Sequence, residues 1–143
     1  MDTIITQALQ LLAAELREGL PIREPDYLKA MLRLKYGTKK IEYLGGILLD
    51  QQNKIIEEHI FERGIENRTV VYLKKIVQRL FKKHATGLIL FHNHPSGTLE
   101  FSKQDLDLTK RLRDVLGELD IRLVDHVLVT CAGSLSACEL RLL

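Results

Sequence analysis

LILFHNHPSGTLEFSKQD, residues 88–105, is the stretch from which the fold is read. Leu88, Ile89, Leu90 and Phe91 form a short, wholly apolar run. Such a run, bounded by turn residues, reads as a strand buried on both faces. It leads directly into His92-Asn93-His94, and Pro95-Ser96-Gly97 then turns the chain. Ser102 to Asp105 open a strongly periodic helix, in which Ser102 is placed as the cap. On a strand, residues i and i+2 point to one side, so both imidazoles can aim at one point. Asp105, in the first turn of the helix, is returned toward the loop that carries them. Two imidazoles and one carboxylate make a three-ligand set with an open fourth position, the catalytic pattern for zinc.

The rest of the chain reads as support for that stretch. At 143 residues it is long enough for a real hydrophobic core. Its 45% hydrophobic and 28% charged content is ordinary for a globular protein. A net charge of +2 argues against direct nucleic-acid binding. No apolar run approaches the roughly 18 residues of a membrane span. The start lacks the basic region of a secretory signal. The two cysteines, Cys131 and Cys138, fit neither a disulfide framework nor a C-x-x-C pair. A reducing, cytoplasmic setting is therefore expected.

Outward from the centre, Ile5, Leu9, Leu12 and Leu16 lie on one stripe and predict a helix over 3–17, ended by Gly19 and Pro21. Asp26 is expected to cap a second helix over 27–36, with Gly37 beyond it. Residues 1–37 are read as a helical N-terminal arm suited to homo-oligomer formation, and 38–143 as the domain proper. Strands are predicted over 41–49 and 54–62, with 50–53 as their turn. A helix follows over 72–83, with Leu73, Ile76, Val77, Leu80 and Phe81 inward and Lys74, Lys75, Arg79, Lys82 and Lys83 outward. The helix opened by Ser102 is predicted over 102–119, with Leu106, Thr109, Leu112, Leu116 and Leu119 inward. A strand follows over 121–130, a turn at 132–134 and an untyped end at 135–143. Helices and strands alternate, so the expected class is α/β or α+β around a mixed sheet flanked by helices.

A zinc-held water still needs a base to move its proton. Within the His loop the one acidic candidate is Glu100, expected at the exposed tip, so the base is sought elsewhere. Here the residues reach a known family. His92-x-His94, seven residues, then Ser102-x-x-Asp105 resembles the JAMM motif of JAB/MPN metalloproteases. The longer string HNHPSG…S…D…T…L, with LVDHVLV at 123–129, is similar to the RadC family of bacterial JAB proteins in particular. The likeness covers about residues 40–130. It implies a JAB/MPN (cytidine-deaminase-like) architecture, Zn2+ on His92, His94 and Asp105, and hydrolysis of a peptide or isopeptide bond in a protein or peptide substrate. It also implies Glu42, which begins an apolar strand ending in Asp50, as general base, and Ser102 as the serine that helps hold the oxyanion.

Three features depart from the family pattern. Phe101 stands where proline usually precedes the motif serine. No helix-hairpin-helix segment is recognisable in residues 1–36, which counts against a DNA role, and residues 131–143 fit the family poorly. Blander readings stand beside the sharp ones. Ser102-x-x-Asp105 is also a common helix start, close to a capping box. Glu57, Glu58 and Glu62 compete with Glu42. Asp125-His126 reads as a core or hydrogen-bonded pair, His59 and His84 as surface residues, and the basic face over 74–83 as a solvated helix side.

Other metal chemistries fit less well. Ser96-Gly97 occupies the Asp-His positions of an HxHxDH phosphodiesterase. Five histidines are too few for a polymerase-type HxH phosphoesterase, and a zinc deaminase needs a C-x-x-C pair. A non-catalytic JAB scaffold, or an accessory of DNA repair, is the remaining alternative. The complete ligand set argues for the enzyme.

Overall fold

The structure is a computed structural model that describes residues 25–64 and 69–143. In it the apolar run becomes β3 (Gly87–Asn93), and all seven of its residues are buried. A strand covered on both faces requires a layer on each side. β3 sits at the centre of a five-stranded sheet with β1 (Tyr43–Leu49), β2 (Ile55–Arg63), β4 (Arg122–Thr130) and β5 (Gly133–Ser136). The order is β2-β1-β3-β4-β5. β3 runs antiparallel to β1 and parallel to β4, while β2 and β5 pair antiparallel at the edges. The parallel β3–β4 pair needs a crossover, and α3 (Lys103–Glu118) provides it. α1 (Pro25–Tyr36) precedes the sheet, and α2 (Thr69–Lys82) links β2 to β3. This is the mixed sheet with flanking helices that the alternation of elements predicts.

The side-chain period of β3 decides what each face meets. Leu88 and Leu90 pack with Leu44 and Leu48 against Ile76 and Leu80 of α2 and Leu108, Leu112 and Leu116 of α3. Ile89 and Phe91 pack with Ile47, Leu49, Val127 and Val129 against Leu28, Met31, Leu32 and Tyr36 of α1. Even-numbered residues therefore face α2 and α3, and odd-numbered ones face α1. His92 continues the even series, so the start of α3 is the element it meets.

Two glycines allow close approach. A Cβ at Gly45 would lie 2.3 Å from the Phe91 ring that covers it. A Cβ at Gly37 would lie 2.9 Å from the Thr130 carbonyl oxygen, so Gly37 lets the end of α1 reach β4.

Several boundaries and faces differ from expectation. α1 starts at Pro25, with Asp26 in its first turn rather than before it. Pro is favoured at the first helical position, where its missing N–H has no partner to lose. α1, assigned from the sequence to an arm, packs its apolar stripe on the sheet, and the helix predicted over 3–17 lies outside the described residues. Phe81, expected inward, is 54% exposed, and Leu119 is exposed as well. Both sit at the ends of their helices, where the buried stripe runs off the sheet. Gly133 and Ser134, expected in a turn, belong to β5 and pair with Thr130 and Val129. Thr130 and Gly133 bracket a two-residue hairpin turn, so the reversal falls at Cys131-Ala132.

Candidate metal centre

The site forms where β3 ends and α3 begins. His92 is the penultimate residue of β3, and His94 follows the strand. The His94 backbone N–H still donates to the Val129 carbonyl at 3.2 Å, so the loop remains tied to β4 while the ring turns inward. Ser102 caps α3: its hydroxyl accepts from the Asp105 N–H at 3.0 Å, and its own N–H donates to Asp105 Oδ2 at 2.8 Å. This reciprocal capping box satisfies two donors at the helix start. It also fixes the Asp105 carboxylate on the side from which the histidines arrive.

Three atoms converge there. His92 Nε2 and His94 Nε2 are 3.0 Å apart. Asp105 Oδ2 lies 3.1 Å from the first and 3.0 Å from the second. A tetrahedral ion with bonds of about 2.0–2.1 Å requires ligand–ligand edges of roughly 3.3 Å. The observed triangle is a few tenths of an ångström tighter, within reach of small side-chain shifts. Among the described residues, His92, His94 and Asp105 form a group of donors close enough to hold a metal ion.

The hydrogen bonds around the triangle settle which ring atoms are bare. His94 Nδ1 faces the Thr98 carbonyl at 3.0 Å. A carbonyl only accepts, so Nδ1 carries the proton and Nε2 of the neutral ring offers a lone pair. His92 is set through a longer route. Thr109 Oγ1 donates to the Asp105 carbonyl at 2.7 Å and is therefore an acceptor for His126 Nδ1–H, 2.5 Å away. His126 is fully buried, and that burial, followed by the charge of His92, pushes its pKa well below the ordinary histidine value. The neutral ring then accepts at Nε2 from His92 Nδ1–H, 2.7 Å away. His92 Nε2 is left bare and aimed at the triangle. Such partners behind a ligand fix its tautomer and orientation.

Charge follows the same layout. Burial alone would raise the pKa of Asp105. With Nε2 protonated, hydrogen bonds from His92 and His94, the charge of His92 and the Ser102 N–H outweigh it and hold the carboxylate well below its usual range. His94 is pushed up, chiefly by its hydrogen bond to Asp105, against its burial. A proton on His94 Nε2 and an incoming ion would compete for the same lone pair. The donor set, two neutral imidazoles and one carboxylate, suits a divalent ion.

Glu42 and Ser102 line an open cleft beside His94, together with Thr98 and Phe101. Glu42 precedes β1 and is half-buried. Burial raises its pKa, and nearby His92 and His94 partly offset the rise. Phe101 packs its ring 6.1 Å from His92 and 5.2 Å from His126 and closes the apolar side of the site. Glu57 and Glu62, competitors of Glu42 from sequence, pair instead with Arg79 and Lys75 of α2. Glu58 accepts from Lys35 and Tyr36 of α1. Thr109 and His126 both fall within the family string, but their pairing in a relay is not read from it. The signal for that pairing is positional, since Thr109 stands one helical turn after Asp105 and His126 shares the parity of Leu128 on β4.

A family model described as the RadC-like JAB domain matches residues 22–142. A UPF0758 protein of Burkholderia cenocepacia is 38% identical over 129 residues, which is 90% of this chain and 50% of that protein. A UPF0758 protein of Neisseria meningitidis serogroup B is 35% identical over 132 residues, 92% of this chain and 57% of the relative. One from Marinobacter nauticus is 33% identical over 139 residues, 97% and 62% respectively. The chain thus spans about half to three-fifths of the length of these curated relatives. With the HNHPSG string, the capped aspartate and the mixed sheet all in place, the chain belongs to the RadC-like JAB domain family.

Proposed function

We propose that this domain is a zinc-dependent hydrolase of the JAMM type, acting on a peptide or isopeptide bond. The observation that carries the reading is the triangle of donor atoms on His92, His94 and Asp105, beside a cleft lined by His94, Glu42 and Ser102. Zinc bound by these three residues would supply Lewis-acid polarisation and lower the pKa of a water in its open position to about 7. Glu42 takes a proton from the attacking water and returns it to the leaving nitrogen. Its burial raises its proton affinity toward the range a base needs at neutral pH. Ser102 Oγ accepts from the Asp105 N–H, which leaves its own hydroxyl proton to donate to the oxyanion of the tetrahedral intermediate. Phe101 keeps water from the buried side of the rings. A protein or peptide substrate suits an open cleft at the surface better than an enclosed pocket would.

The test uses the full chain. Purified protein and His92→Ala are compared for zinc content, then assayed on fluorescence-quenched peptides and an ε-linked lysyl isopeptide. About one zinc per chain, lost in the variant, supports the site, whereas equal and negligible metal in both removes the hydrolase reading. Glu42→Gln should keep zinc and lose turnover by roughly 10²–10⁴-fold. Unchanged turnover would remove Glu42 from the mechanism.

A further inference from the structure

Asn93, between the two histidines, lies on the other parity of β3 and so points away from the metal triangle. It is fully buried. Its side-chain amide makes two hydrogen bonds, both to the main chain where β1 begins. Oδ1 accepts from the Tyr43 N–H at 2.6 Å, and Nδ2 donates to the Ile41 carbonyl at 3.0 Å. These two groups flank Glu42. One acceptor and one donor straddling a single residue is the arrangement a neighbouring strand makes in a parallel ladder. The regular β1–β3 pairing stops at Leu44 and His92, so the Asn93 amide takes the place of a strand where the ladder has ended. On the other side, the Gly64 N–H donates to the Glu42 carbonyl at 2.8 Å. The Glu42 backbone is thereby held from both edges although it lies outside any strand.

From this bracket we infer that Asn93 is the positioning residue for Glu42, fixing the backbone from which its carboxylate reaches the cleft beside the metal triangle. The same tripeptide thus delivers two ligands to one face of β3 and, from the opposite face, anchors the acidic residue. This rests on the reading of Glu42 as base only for its catalytic consequence; the placement itself is independent of it. A misplacement of about 1 Å in a reacting group can cost roughly a hundredfold in rate.

The test reads placement without turnover, using zinc alone as the probe. In 13C- and 15N-labelled full chain, zinc should displace the Glu42 carboxyl carbon resonance, because that carboxylate sits near the ion. In Asn93→Ala the protein should still bind zinc stoichiometrically. The Tyr43 amide should exchange at least about tenfold faster, and the zinc-induced displacement at Glu42 should shrink by at least about twofold as the carboxylate moves away. Asn93→Asp keeps the acceptor for Tyr43 and loses the donor for Ile41, so it decides the matter if the alanine variant does not fold. There Tyr43 should stay protected while the Glu42 response still falls. An undiminished Glu42 response in whichever variant folds, or no response in the wild type, overturns the assignment. Failure of the base reading is a separate result: Glu42→Gln turning over normally while Asn93 variants still displace Glu42.

Discussion

The two ends of β3 are equally buried and are built on different principles. From Leu88 to Phe91 the strand is held by non-directional packing between two helical layers. From His92 onward nearly every polar atom has a specified partner, and the partners come from β1, β4, α3 and the following loop. Burial by itself therefore does not mark the site. The mark is burial combined with polar groups that have specified partners, around one point where two ring nitrogens and a capping carboxylate oxygen meet. Leucine at the first end can be exchanged for another side chain of similar volume at modest cost. At the second end even isosteric changes alter which nitrogen carries a proton.

The sharpest way to break this contrast is His92→Ala, which should abolish stoichiometric zinc binding, measured by metal analysis of the purified protein. Leu90→Ala attacks the other end. It should lower stability by about 2–5 kcal/mol in denaturant unfolding while the folded fraction keeps its metal. A smaller effect is expected behind the ligands. His126→Phe preserves a buried ring but removes the acceptor for His92 Nδ1, and zinc affinity should fall roughly 10–100-fold in a competition titration. Equal affinity would show that the relay does not set the His92 tautomer.

The smallest effect lies at the edge of the sheet. Burial tends to raise the pKa of Glu57, but its hydrogen bonds and charge pairing with Arg79 outweigh that and lower it below its ordinary value. Its contribution is thus fully present above the unfolded carboxylate value and is lost as pH falls through the lower folded value. Arg79→Gln should flatten the acid side of the stability profile only slightly, since solvent screens the pair.

Legibility in sequence followed the same division. The apolar run, the x-spaced histidines and Ser102-x-x-Asp105 are local patterns; the last has two readings, and the structure shows the helix cap and also brings Asp105 beside both histidines. Glu42 is not legible this way. A glutamate before a strand is common, and only the family resemblance singled it out from Glu57, Glu58 and Glu62. Thr109, His126 and Asn93 are ordinary core or turn residues by type, and their roles depend on the register of β3 against β1 and β4, which no local window contains. β5 is not legible because Gly133-Ser134-Leu135-Ser136 has one apolar residue and three turn formers, so pairing with β4 overrides its local preference.

One carboxylate oxygen, Asp105 Oδ2, both completes the cap of α3 and forms a corner of the ligand triangle. Selection acting on helix formation alone would therefore preserve this aspartate in a descendant that had given up its ion. When kindred sequences are surveyed for lost activity, the histidine pair is the informative marker, and an intact aspartate says little by itself.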